Sequence, residues 1–175
     1  MRRRKVNKIS VTRESVLEVL LKVEGIMRVY VLIDEKEKGT SSIVAPEETL
    51  KDVFWALHCY LVVTLSSIYS SNEANPSIND IYREILALDS KCQRIHGVIE
   101  GLKKMNSTVQ KHTDELRILR NKVWGHNMSI GDVNDAINSM PINPPFHEIA
   151  GLMLLFAKLC CEIYLRYTPN RENGI

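Results

Sequence analysis

The chain has 175 residues, of which 45% are hydrophobic and 25% charged, and its formal net charge is +2. That is enough apolar material for one domain with its own core, and a charge too near balance to specify a partner. Its four cysteines (Cys59, Cys92, Cys160, Cys161) sit in apolar helical patterns without CxxC spacing, so they read as small core hydrophobes in a reducing, cytoplasmic setting and exclude a disulfide frame or zinc site.

Residues 1–11 form a basic tail carrying Arg2, Arg3, Arg4, Lys5 and Lys8. Two readings stand for it: a solvated end, or an arm that reaches RNA phosphate. The basic run is followed by polar residues, so it is not expected to be a secretory signal. A long helix is expected from about Thr12 to Glu37 on Val16, Leu17, Leu20, Leu21, Val23, Met27, Tyr30, Val31 and Ile33, closing at Gly39. Pro46 suits the first position of a second helix to about Ser70, with Glu47 and Glu48 opposing its dipole. That segment is apolar on most of its surface (Val53, Phe54, Leu57, Leu61, Val62, Leu65, Ile68), which marks it as the central element. His58 within it reads as a near-core histidine held by a hydrogen bond.

Ser77 and Asp80 have capping-box spacing and start a third helix through about Leu88. A fourth is expected from Ser90 to Lys104, weakened by Gly97 and Gly101, which would also let another helix approach closely. Ser107 and Gln110 form a second capping box, starting a separate helix at Thr108 whose first turns (Lys111, His112, Asp114, Glu115) read as a solvated face. A short helix around Gly131 to Asn138 and a proline-rich stretch follow. The last helix runs from about Pro145 to Tyr167. Ile149 to Leu165 is the nearest thing to a membrane span, but Lys158 and Glu162 interrupt it and it is short, so it reads as a buried helix. The expected architecture is all-α: an up-and-down bundle of five or six helices over residues 12–168, with a polar tail at 169–175.

The stretch with chemical content is Leu116-Arg117-Ile118-Leu119-Arg120-Asn121-Lys122-Val123-Trp124-Gly125-His126-Asn127. Leu116, Leu119 and Val123 give the helix a face to bury, while Arg117, Arg120, Asn121 and Trp124 share an outward stripe. Arg120 and His126 are six positions apart, which on a continuous helix keeps them on different sides. Gly125 suits a left-handed helix end that would swing His126 back toward Arg120. An imidazole beside a fixed cation and an amide suits acid–base chemistry on phosphate.

This stretch resembles the HEPN signature, Arg-x(4–6)-His with a polar residue after the arginine. The wording Leu-Arg-Asn-Lys-Val-Trp-Gly-His-Asn is most similar to the abortive-infection U-type HEPN proteins. The resemblance covers about a dozen residues; beyond them the likeness is one of helical layout. It implies an endoribonuclease that needs no metal or other cofactor. His126 would act as base or acid, Arg120 would grip nonbridging phosphate oxygens, and Asn121 would orient the histidine or donate to phosphate. Arg117 and Lys122 would meet the RNA backbone, and Trp124 would stack on a base. The product would be a 2′,3′-cyclic phosphate. The family also implies a homodimer with a composite cleft, a toxin or defence role, an antitoxin protein as partner, and no membrane. Met128 stands where many family toxins carry a tyrosine, so inactivation by modification of that tyrosine does not carry over. The alternative is a catalytically silent HEPN module that binds RNA, a nucleotide or a partner protein.

Overall fold

The computed structural model describes residues 10–70, 75–89, 95–125, 131, 135 and 146–168, and describes 89 and 122–125 by backbone alone. Most of both expected tails, 1–9 and 169–175, and most of the insert after the motif lie outside that set. Gly131 and Asp135, within the expected short helix, are helical and exposed. Among the described residues every regular element is a helix: α1 (Arg13–Glu37), α2 (Glu47–Tyr69), α3 (Ile78–Asp89), α4 (His96–Gly125) and α5 (Phe146–Tyr167). The chain is an all-α helical bundle.

The helix ends follow local chemistry. The Thr12 hydroxyl accepts from Ser15 N–H at 3.2 Å while Thr12 N–H donates to the Ser15 hydroxyl at 3.0 Å, so a serine fills the reciprocal place of the capping box. At the other end of α1, Gly39 takes φ +70°. Its N–H bonds to Lys36 C=O, and Thr40 N–H bonds to Glu35 C=O, the pair of contacts that defines a Schellman stop. Ser77 caps α3 as its spacing requires: its N–H and hydroxyl donate to Asp80 at 2.9 and 2.7 Å, and Asp80 N–H donates back to the hydroxyl.

Two expectations about α4 are corrected. The fourth helix and the motif helix are one helix of 30 residues. The hydroxyls expected to cap a new start bond back to their own helix instead, Ser107 Oγ and Thr108 Oγ1 both to Lys104 C=O. The buried stripe Ile99, Leu102, Val109, His112, Leu116 and Leu119 stays in helical phase across the expected break, which a second start would have shifted. Gly97 and Gly101 are exposed, and a Cβ on either meets nothing within 4 Å, so no helix among the described residues crosses there.

The central element is α5, not α2. Helix α5 packs against α1, α3 and α4, and buries Ile149, Ala150, Met153, Leu154, Phe156, Ala157, Cys160, Cys161, Ile163 and Tyr164 around most of its circumference. It runs antiparallel to α1. Arg13 at the start of α1 donates to Leu165 C=O and Thr168 C=O at the end of α5 (3.0 and 2.8 Å), placing a cation at its negative pole. At the other end Glu37 lies 3.2 Å from His147. Midway, Gly151 lets the Tyr30 ring lie against α5, where a Cβ would stand 2.8 Å from the phenol oxygen. Helix α2 lies to one side, on α1 and α4, and is tied to α5 by Tyr69 O–H donating to Met153 C=O at 2.7 Å. Helix α2, not the α5 segment, has the length and composition to cross a membrane, and 44% of its apolar window is buried. Any 18-residue window of α5 contains a third charge from Glu148 or Arg166 beside Lys158 and Glu162.

Candidate active site on the long helix

Helix α4 holds the motif by burying one stripe and exposing another. Leu116 and Leu119 are 2% and 1% exposed, as their spacing requires. Arg120 is half-buried at the edge of that stripe, while Arg117, Ile118 and Asn121 face outward. The Nε and Nη2 of Arg120 donate to Asn121 Oδ1 at 3.2 and 3.0 Å. Only the oxygen end of the amide can accept these bonds, so its NH2 end turns the other way. Asn121 therefore holds the guanidinium of Arg120 through its Oδ1. Two of the five guanidinium donors are engaged in this way; the others are what an anion would meet.

Arg117 lies 3.3 Å from Asp114, both well exposed, a pair weak enough to be exchanged for phosphate. Lys122 and Trp124 lie on the helix by backbone, and their side chains are outside the described set. Helix α4 extends through Gly125. The glycine expected to take a left-handed position and end the helix is therefore itself helical; His126 lies outside the described residues.

The opening turns of the motif segment hold a correction and a residue the sequence reading passed over. His112, expected on a solvated face, is 4% exposed. It stands four residues before Leu116 and seven before Leu119, so it occupies the core stripe, and that spacing was the signal. Its Nδ1–H donates to Glu115 Oε2 at 2.7 Å, one turn on, which satisfies the buried ring. Lys111 and Asp114 do face solvent.

A second polar cluster joins three helices at the far end of α1. His58 Nδ1–H donates to Phe54 C=O at 2.8 Å, the bonded near-core state expected of it. Its Nε2 faces Glu37 at 3.7 Å, and Glu37 also meets His147 Nδ1 on α5. Among the described residues no three His, Cys, Asp or Glu side chains are grouped to hold a metal ion. The described cysteines are buried and unpaired. Burial pushes the Cys59 thiol up to about 11 and the Cys161 thiol up to about 12, so neither supplies a thiolate near neutrality. Cys92 lies outside the described residues.

Neither a family model, nor a curated protein, nor a solved structure matches the chain.

Proposed function

We propose that the chain is a metal-independent endoribonuclease of the HEPN kind, acting as a homodimer in the cytoplasm in a toxin or defence role. The observation that carries the reading is the guanidinium of Arg120, half-buried on an otherwise solvent-facing stripe and held in plane by Asn121. A cation pre-set in this way loses little freedom when it takes up a phosphate, and its fork matches two oxygens of the group. The all-helical bundle under the motif, with Leu116 and Leu119 anchoring its helix, supports the same reading.

In the proposed reaction the ribose 2′-oxygen forms a bond to the adjacent phosphorus while the bond from phosphorus to the 5′-oxygen breaks. The 2′-OH proton passes to one imidazole, and the leaving 5′-oxygen takes a proton from another. Arg120 holds the charge that gathers on the nonbridging oxygens. One histidine does not serve well as base and acid at once, so two copies of His126 from a two-fold pair divide the roles. Arg117 and Lys122 meet the flanking backbone, and Trp124 stacks on a base. An antitoxin protein that covers this cleft would keep the toxin silent.

The test is RNA cleavage by purified protein in EDTA. Arg120→Ala and His126→Ala should each abolish cutting while the helical circular dichroism spectrum is retained. Cutting that survives both substitutions removes the motif from the reaction, and RNA binding without cutting assigns the chain to silent HEPN modules.

A further inference from the structure

Between α1 and α2 lies the longest stretch outside a helix among the described residues. The stop at Gly39 ends α1 and Pro46 precedes α2, which leaves residues 40–46 without regular structure. Burial alternates along them without a break: Thr40, Ser42, Val44 and Pro46 are exposed, while Ser41, Ile43 and Ala45 are half-buried. A period of two is that of extended backbone. Among the described residues no backbone–backbone bond reaches residues 41–45, and Ile43 N–H donates to the Ser41 hydroxyl at 3.3 Å. Ile43 packs on the core, whereas Val44 is 96% exposed, the most exposed large apolar side chain described.

An endopeptidase takes its substrate in this form: it pairs with an extended, unpaired backbone and seats one side chain in a pocket. Helices do not offer it, because their N–H and C=O groups are used internally. Within the segment Ala45–Pro46 is a poor bond to cut, since proline brings a rigid ring and no N–H. The bond before it, Val44–Ala45, has the outward valine on its acyl side and a small residue on its amine side. Valine fits a shallow apolar pocket of the elastase kind, not one built for a cation or an aromatic ring. A cut here leaves α1 held by contacts that do not run through the loop. At its start Arg13 donates to Leu165 C=O and Thr168 C=O, and Tyr164 O–H donates to Val11 C=O at 3.2 Å. At its end Glu37 meets His147, and between them Val16, Val19, Val23, Ile26 and Ile33 are buried.

We propose that the Val44–Ala45 peptide bond is a processing site, cut in the folded protein by an endopeptidase with a small apolar specificity pocket. Water adds across the bond: the C–N bond breaks, Val44 keeps the new carboxylate and Ala45 the new amine. The pieces 1–44 and 45–175 stay docked, because the core contacts of α1 lie along its whole length. The first piece carries the basic run from Arg2 to Lys8, and the second carries the whole α4 motif. Processing therefore turns a covalently attached basic arm into one held by packing alone. The site does not depend on the nuclease reading and stands or falls without it.

The test is limited proteolysis of the full chain with pancreatic elastase, read by intact mass and N-terminal sequencing. A fragment beginning at Ala45 should appear while circular dichroism keeps its helical signal, and both pieces should elute together with the uncut protein. Val44→Asp, at a side chain that touches almost nothing, should slow this cut by about tenfold or more with the spectrum unchanged. Val44→Lys should hand the same bond to trypsin, because the backbone is presented whichever side chain it carries. Elastase that cuts within residues 41–46 only after unfolding in urea overturns the proposal. So does a Val44→Lys chain that trypsin spares at that position, and so does a Val44→Asp chain cut there as fast as the wild type. A nicked chain that sheds 1–44 or loses its helical signal also overturns it, since the cut would then destroy the fold instead of processing it.

Discussion

Removing Glu115 should harm the protein more than removing Glu115 and His112 together. The His112 side chain is 5% exposed, and its Nδ1–H is bonded to Glu115 Oε2 at 2.7 Å. Glu115→Ala leaves that donor buried without an acceptor, a loss of ~1–3 kcal/mol. In His112→Leu/Glu115→Ala the orphaned donor is gone, and a leucine continues the stripe of Val109, Leu116 and Leu119. That variant should lie within ~1 kcal/mol of the wild type. The cycle closed by His112→Leu alone should show a coupling of ~1–2 kcal/mol. With a urea slope of ~1–3 kcal/mol/M, a loss near ~2 kcal/mol moves the midpoint by ~1 M, readily resolved by far-UV circular dichroism. If the double variant costs the sum of the two single ones, the histidine is not held by the carboxylate and its burial has another cause.

Gly101→Ala should raise stability by ~1 kcal/mol, because the glycine sits inside α4 with open space around it; urea unfolding reads the shift. Gly39→Ala should lower it by ~1–2 kcal/mol, since φ +70° strains any residue with a Cβ, and the same assay checks it. Alkaline pH should destabilise the fold. Burial raises the thiols of Cys59 and Cys161 from 9.0 to about 11 and about 12, so the neutral forms favour folding below pH 9 and that contribution is lost as pH rises through the folded values. Buried Tyr69 acts in the same direction, and Cys161→Ala should flatten part of the pH dependence of thermal unfolding.

Helix boundaries were legible wherever a local rule acts alone: Thr12, Gly39, Ser77 and the segment around Pro46 all terminate helices within a residue or so of where their chemistry calls for it. The same rules misled at Ser107, because capping spacing is a permission that a hydroxyl in mid-helix can decline by bonding to its own carbonyl. Burial was less legible than helicity. In α1 the sequence offers Leu17, Leu20 and Leu21 as readily as Val19 and Ile26, but the stripe of Val16, Val19, Val23, Ile26 and Ile33 is buried, Leu20 packs half-buried against the core, and Leu17 and Leu21 stay exposed. In α2 apolar residues lie on all sides, and composition does not distinguish a helix enclosed by its own chain from one left half open. Of the site, Arg120 and Asn121 were singled out by pattern, but their mutual hydrogen bonds required coordinates. His112 was hidden by its type: the eye reads a histidine among Lys111 and Asp114 as solvated, although its spacing to Leu116 places it inside.

The chemistry of the cut ends tests the nuclease account most directly. RNA incubated with the purified protein in EDTA and analysed by mass spectrometry should carry 2′,3′-cyclic phosphate and 5′-hydroxyl ends, the signature of attack by the neighbouring 2′-oxygen with Arg120 holding the phosphate. Ends bearing 3′-hydroxyl and 5′-phosphate, or cutting that appears only when a divalent cation is restored, would contradict it.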